Sequence, residues 1–315
     1  MSMAMSTAAY TEAWLSGPQK TRFYTRTYKP EEAQLNAAVV FVHGFIEHIG
    51  RYEHVFPAWS VRGIAVFAYD QRGFGRTALD EKNRSKNSAY GKTSWREQLE
   101  DIEWAINHVK QEFGGAPIFL YGHSMGGALA LAFPTRANPP PSKNVVSSLT
   151  GVVATSPLIL QAQPASKAAR WFGGKASRLA PTLTIPAPIN SKDLSHDQAV
   201  NEAYTKDPYV KFVGSLKGIS DMLDGGENLL HKDYIHWPKA LPLLLVHGTE
   251  DKVTSFKASE QFHGALPADN KHFSPYINGF HELHNEPDGV KERLIEECIA
   301  WVEAHIPSPS VPSKL

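Results

Sequence analysis

The chain predicts an α/β fold: a mostly parallel central sheet flanked by helices, with an inserted helical and loop cap. Three observations carry that expectation. Continuous apolar runs of strand length alternate with segments of helical period, the pattern of a sheet buried on both faces. One such run, Ile118 to Tyr121, meets Gly122-His123-Ser124-Met125-Gly126 and then a small-residue stretch, Gly127 to Phe133, with the composition of a tightly packed helix. Between residues 157 and 237 the character changes, with more Pro, Ser and Lys and no clear strand. The expected division is therefore a core of residues 1–156 and 238–306, a cap of 157–237 and a flexible C-terminal tail of 307–315.

Taken in order, Gln19 to Tyr28 alternates and is rich in Thr and Tyr, which suits an antiparallel edge strand. Ala37 to Val42 is a buried strand ending at His43-Gly44, and Ile64 to Tyr69 is another ending at Asp70. Tyr52 to Arg62 is expected to form the helix between them. Asp70 to Thr77 reads as a glycine-containing loop at a strand's carboxyl end. Ser94-x-x-Glu97 is a capping box, and Trp95, Leu99, Ile102, Ile106, Val109 and Phe113 continue it at helical period. Leu149 to Ala154 is a further strand. Beyond the cap, strand character returns at Leu241 to Val246, followed by His247-Gly248-Thr249-Glu250-Asp251. A helix over Ser255 to Ala265, a last strand over His272 to Ile277 and a closing helix over Pro287 to His305 complete the core. No internal repeat is found.

The 32 basic and 32 acidic residues cancel, so nothing points to nucleic acid as a partner. The single cysteine, Cys298, excludes an internal disulfide and lies on an apolar helical face, as a buried structural thiol would. No apolar run has the length of a membrane span, and Met1 to Tyr10 lacks the features of a secretory signal. The chain ends Ser313-Lys314-Leu315, the tripeptide read by the peroxisomal import receptor, after a Pro/Ser stretch that has no means of packing. Peroxisomal localisation is expected, with the cytoplasm or a lipid-droplet surface as the alternative.

Gly-x-Ser-x-Gly between a strand and a helix is the nucleophile elbow of the α/β-hydrolase fold. The turn is strained, and Gly122 and Gly126 remove the side chains that would clash there. Ser124 then stands at a helix N-terminus, where backbone amides favour negative charge. A serine hydroxyl needs a positioned base oriented by a buried acid, in the chain order Ser, acid, His. Asp251 follows a buried strand and is the expected acid, with Glu250 as the neighbouring alternative. His281 follows the last strand and is the expected base, with His284 as its rival. An oxyanion hole requires two backbone amides. Met125, next to the nucleophile, and Phe45, in the loop after Ala37 to Val42, are the candidates, and His43 is read as shaping that loop.

His43 to Tyr52, Asp70 to Gly75, Gly122 to Gly126, His247 to Asp251 and the His281 segment together resemble the monoacylglycerol lipases over nearly the whole chain. The resemblance implies hydrolysis of a monoacylglycerol to fatty acid and glycerol through an acyl-enzyme, with no metal or organic cofactor. It also implies that Glu47, Arg51 and His123 surround the glycerol end of the substrate, with Tyr204 of the cap beside them. Glu47 and Arg51, four apart, would equally pair with each other on a helical turn. Phe45-Ile46 departs from the smaller residues of the mammalian pattern, and Pro164 to Pro188 matches poorly. Ile159, Leu160, Trp171, Phe172, Leu179 and Ile185 would line an acyl tunnel, dip into a membrane or lipid droplet, or simply pack the cap. A lysophospholipase, short-chain esterase or thioesterase on the same triad, and a non-catalytic binding module, are the alternative functions.

Overall fold

The structure, a computed structural model, describes residues 10–30, 33–164 and 166–307, the side chains of 167–169 excepted. Strands β1 (Tyr10–Ser16) and β2 (Arg22–Tyr28) form an antiparallel pair. Then come β3 (Ala37–Val42), helix α1 (Pro57–Val61), β4 (Ile64–Tyr69), α2 (Gly75–Leu79) and α3 (Trp95–Glu112). They are followed by β5 (Ile118–His123), α4 (Met125–Thr135), α5 (Lys143–Val146) and β6 (Leu149–Thr155). The chain then leaves the sheet for α6 (Lys167–Leu179), β7 (Thr184–Pro186), α7 (Gln198–Lys206), β8 (Val213–Ser215) and α8 (Leu216–His231). It returns through β9 (Leu243–Gly248), α9 (Phe256–Ala265), β10 (Lys271–Tyr276) and α10 (Val290–Ala304).

The eight-stranded sheet has the order β1-β2-β4-β3-β5-β6-β9-β10, parallel from β4 onwards. Its strands are buried on both faces because alternate side chains serve two different cores. Val40, Phe67, Leu120, Val152 and Leu245 face the layer holding α3, α4 and α8. Val39, Val66, Phe119, Val153 and Leu244 face Trp59 of α1 and Leu294 and Ile299 of α10. Cys298 lies in that second core, buried and without a disulfide partner among the described residues.

Three expectations need correction. The Thr/Tyr-rich segment is antiparallel but interior, because β1 pairs outside it from Tyr10 to Ser16 and takes the sheet edge. The expected helix over Tyr52 to Arg62 is a 3-10 turn at Ile49–Tyr52 and a separate α1. Pro57 opens α1, having no N–H with which to continue a preceding turn. The segment between β6 and β9 does contain strands, the antiparallel pair β7 and β8. Ser94 caps α3 as expected, accepting from the Glu97 amide and donating from Oγ to Glu97 Oε2 at 2.7 Å.

Within the segment between β6 and β9, α8 packs against α4 on one side and α6 on the other. Arg170 of α6 pairs with Asp224 of α8 at 2.6 Å. On α6, Trp171, Phe172 and Leu179 stay exposed, as does Leu183 just beyond it. Ile159, by contrast, is buried in the core. Among the described residues no helix is long and apolar enough to cross a membrane. Ser313, Lys314 and Leu315 lie outside the described residues.

Candidate active site

The loops after β3, β5, β6, β9 and β10 meet at the carboxyl edge of the sheet, and the site is built there. Ser124 follows β5 with φ 54° and ψ −118°, a conformation that a non-glycine residue holds only when its surroundings impose it. Its amide donates to Thr155 O at 3.0 Å, and its carbonyl accepts from Ala128 and Leu158, each at 2.9 Å. The flanking glycines make this turn possible. A Cβ on Gly122 would lie 2.1 Å from Gly126 O, and one on Gly126 would lie 2.1 Å from Val42 O.

Ser124 Oγ is 3.0 Å from His281 Nε2, and His281 Nδ1 is 2.7 Å from Asp251 Oδ2. Asp251 Oδ1 accepts from the amides of Val253 at 2.7 Å and Thr254 at 2.8 Å. Its Oδ2 also accepts from Thr254 Oγ1 at 2.7 Å and His247 Nε2 at 3.1 Å. Burial alone would raise the Asp251 carboxyl, but the charge of His281 and the hydrogen bonds from both imidazoles hold it far below the usual range. Burial would likewise lower the His281 pKa, and the Asp251 carboxylate outweighs it, leaving the imidazole more basic than usual. Glu250 is exposed and Asp251 buried, so burial separates the two candidate acids. His284 is also buried, but it stacks on Tyr52 with ring centres 4.6 Å apart, and burial pushes its pKa down to about 3.

The loop after β3 lies against the serine: a Cβ on Gly44 would stand 3.0 Å from Ser124 Cβ. Phe45 therefore follows a residue in contact with Ser124, and Met125 opens α4 on its other side. His43 fixes this loop. Its Nδ1–H donates to Gly44 O at 2.8 Å, and its Nε2 accepts from the Gln71 amide at 2.8 Å. Burial pushes its pKa down to about 3, so the ring stays neutral and keeps that tautomer. Gln71 is in turn held by Gln98 at 3.1 Å.

Beside this loop is a buried polar cluster. Glu47 Oε1 accepts from the Gly44 amide and, at 2.9 Å, from Tyr52 OH. Glu47 Oε2 meets Arg51 Nη1 at 3.1 Å, so the i,i+4 pairing does form. Arg51 is also held two-pronged by Glu282, at 2.6 Å and 2.8 Å, and lies over the Tyr204 ring at 4.6 Å. His123 meets Thr155 Oγ1 at 3.2 Å, and its ring centre is 4.9 Å from that of His281. Tyr204 OH and His284 Nε2 are buried without a hydrogen-bond partner among the described residues. Two buried groups left ready to bond are what a polar ligand would satisfy.

Sequence reasoning passed over Glu282, His247, Thr254 and Ser156. Ser156, with φ 44°, donates from Oγ to the His281 carbonyl at 2.8 Å and steadies that residue from behind. Only His247 and Thr254 had a local sign, as polar residues flanking Asp251 after a buried strand. Among the described residues no cluster of three His, Cys, Asp or Glu side chains is suited to a metal ion.

This fold, with a hydroxyl, an imidazole and a buried carboxylate in series at its strand ends, defines an α/β-hydrolase of the serine type. Residues 33–288 match the family described as Hydrolase_4, serine aminopeptidase, S33. The chain is 32% identical over 296 residues to a putative monoglyceride lipase of Schizosaccharomyces pombe, covering 92% of this chain and 74% of that protein. It is 27% identical over 282 residues to the monoglyceride lipase of Homo sapiens, covering 89% and 86%. A crystal structure of a soluble variant of monoglyceride lipase from Saccharomyces cerevisiae, in complex with a substrate analog, superimposes with a TM-score of 0.81. That match covers 97% of this chain and 98% of the other at 22% identity, and shows the shared fold. The chain belongs to the monoacylglycerol lipase family.

Proposed function

We propose that the protein hydrolyses monoacylglycerols to fatty acid and glycerol, with Ser124, His281 and Asp251 as its catalytic triad. The observation that carries this reading is the continuous hydrogen-bonded series from Ser124 Oγ through His281 to Asp251. His281 Nε2 takes the hydroxyl proton as Oγ attacks the ester carbonyl, and Asp251 balances the charge that develops on the imidazole. The backbone amides of Phe45 and Met125 receive the oxyanion. His281 then protonates the departing glycerol oxygen, and an acyl-enzyme remains. Water, deprotonated by the same imidazole, attacks the acyl carbonyl, and the imidazole returns that proton to Ser124 Oγ as the acyl–oxygen bond breaks and the fatty acid leaves.

Glu47, Arg51, His123 and Tyr204 are assigned to the glycerol side. The unpartnered Tyr204 OH and His284 Nε2 support a polar subsite there. The exposed apolar face of α6 is assigned to contact with a membrane or lipid droplet, where the substrate resides. For the peroxisomal destination, a fluorescent reporter ending in residues 303–315 should enter peroxisomes and lose that address without Leu315.

The test of the reaction is Ser124→Ala. It should abolish both fluorophosphonate labelling and fatty-acid release from 1-oleoylglycerol, while rates on diacyl and triacyl glycerols are low in the parent enzyme. Near-normal turnover by Ser124→Ala would overturn the assignment.

A further inference from the structure

Arg51 carries the only cation in the polar cluster formed by Glu47, Arg51, Tyr52, Tyr204, Glu282 and His284, and its fork is already filled. Glu282 takes Nη1 and Nη2 with both carboxylate oxygens, at 2.6 Å and 2.8 Å, and Glu47 takes Nη1 again at 3.1 Å. The guanidinium face rests on the Tyr204 ring. A phosphate group would be recognised through the same two-pronged geometry that Glu282 now occupies. We propose that Glu282 is a specificity-determining residue: it occupies Arg51 and leaves the polar cluster suited to a neutral polyol headgroup, not to one bearing phosphate. This rests on the reading of the site as a monoacylglycerol ester hydrolase.

Three further observations support the assignment. The carboxylate is anchored twice, since Asn285 Nδ2 also donates to Glu282 Oε2 at 2.7 Å, so it does not swing aside at small cost. Burial would raise the Glu282 pKa, yet the Arg51 charge holds it down to about 2, and the group is anionic at neutral pH. The cluster also borders the reacting centre. A Cβ on Gly44 would lie 2.5 Å from Glu47 Oε1 and 3.0 Å from Ser124 Cβ, and Glu282 is the chain neighbour of His281. A phosphate entering here would give up its hydration beside the Glu282 carboxylate, with little water left to screen the repulsion.

The experiment compares kcat/KM for 1-oleoylglycerol and 1-oleoylglycerol 3-phosphate, with p-nitrophenyl butyrate reporting the amount of working enzyme. The parent enzyme should prefer the neutral ester about a hundredfold, as a like-charge penalty of a few kcal/mol implies. Glu282→Gln should reduce that preference about tenfold or more, because it frees the Arg51 fork, whereas Glu282→Asp should largely retain it. A preference that Glu282→Gln leaves unchanged would overturn the proposal.

A second measurement uses the parent enzyme alone and so does not depend on whether Glu282→Gln folds. A non-hydrolysable 1-O-alkylglycerol should inhibit p-nitrophenyl butyrate hydrolysis at concentrations where its 3-phosphate does not. Equal inhibition by the two ethers would also overturn the proposal. If p-nitrophenyl butyrate is cleaved but 1-oleoylglycerol is not, the monoacylglycerol reading fails on its own, and the two ethers still show whether the site rejects a phosphate.

Discussion

His247 Nε2 stands 3.1 Å from Asp251 Oδ2, the same oxygen that His281 Nδ1 meets at 2.7 Å. Two imidazoles thus share one carboxylate oxygen, but only one of them reaches the serine. The ring of His247 is wholly buried, and its Nδ1 meets Ser259 Oγ of α9 at 2.8 Å. The Asp251 carboxylate can only accept, so the proton that His247 offers it sits on Nε2. A hydrogen bond to a charged group is worth about 2 kcal/mol, or about thirtyfold in rate.

His247→Ala is therefore expected to lower kcat/KM on p-nitrophenyl butyrate about thirtyfold while retaining fluorophosphonate labelling at a reduced rate. The melting temperature, measured alongside, separates this effect from general unfolding. An unchanged kcat/KM would mean that Val253, Thr254 and His281 hold the carboxylate without help.

The pH dependence follows from the same carboxylate. His281 has a pKa raised above its ordinary 6.5, the Asp251 charge outweighing the effect of burial. In the proposed mechanism the imidazole accepts the serine proton only when neutral, so activity is expected above the raised value and lost as pH falls through it. The acid limb of kcat/KM should accordingly lie above pH 6.5. Asp251→Asn removes the anion, so burial prevails and the limb should move to lower pH, with a rate loss of about 10⁴-fold. A limb that stays in place in Asp251→Asn would assign the titration to another group.

Glycine at the elbow is a matter of backbone contact. A Cβ on Gly126 would meet Val42 O at 2.1 Å and His43 O at 2.4 Å, and neither carbonyl yields as a flexible side chain would. Gly126→Ala should cost about 3 kcal/mol or more of stability and displace the loop that carries Phe45. Gly264 in α9 is the counterpart, because a Cβ there meets nothing within 4 Å. Gly264→Ala should raise stability by up to about 1 kcal/mol through helix propensity. Thermal denaturation of both variants checks the contrast, and a stable, active Gly126→Ala would refute it.

The legible parts of the fold were those whose cause is local. Ile118 to Tyr121 and Gly122 to Gly126 are adjacent in the chain, and their strand, turn and helix need no distant partner to be recognised. Asp251 and His281 were singled out on the same kind of local sign, each placed just past a strand. β1 was missed because it lies half-exposed at the sheet edge, where the seven residues Tyr10–Ser16 carry little apolar pattern. β7 and β8, three residues each, are too short for any periodicity. Glu282 was illegible for a different reason. Its partner, Arg51, lies 231 positions away, and nothing in Phe280-His281-Glu282-Leu283 distinguishes a buried ion-pair carboxylate from a solvated one.

The cap offers the last test. Trp171 is 59% exposed, Phe172 66% and Leu179 88%, all on one helix, while Arg170 ties that helix to α8. Lys175 lies over the Trp171 ring at 5.5 Å, and Arg178 follows on the same helix, a mixture of apolar and basic groups suited to a lipid–water boundary. If this face docks on lipid, its removal should matter only when the substrate is held in an interface. Trp171→Ser with Phe172→Ser is expected to lower the rate on 1-oleoylglycerol in phospholipid vesicles about tenfold, as the loss of two interfacial anchors implies. The rate on dissolved p-nitrophenyl butyrate should stay within about twofold, because both rings lie mostly in solvent and belong to neither buried core. Vesicle sedimentation should fall in parallel. Equal losses on both substrates would instead make the two aromatics part of cap stability, and no loss on either would remove the lipid contact from this helix.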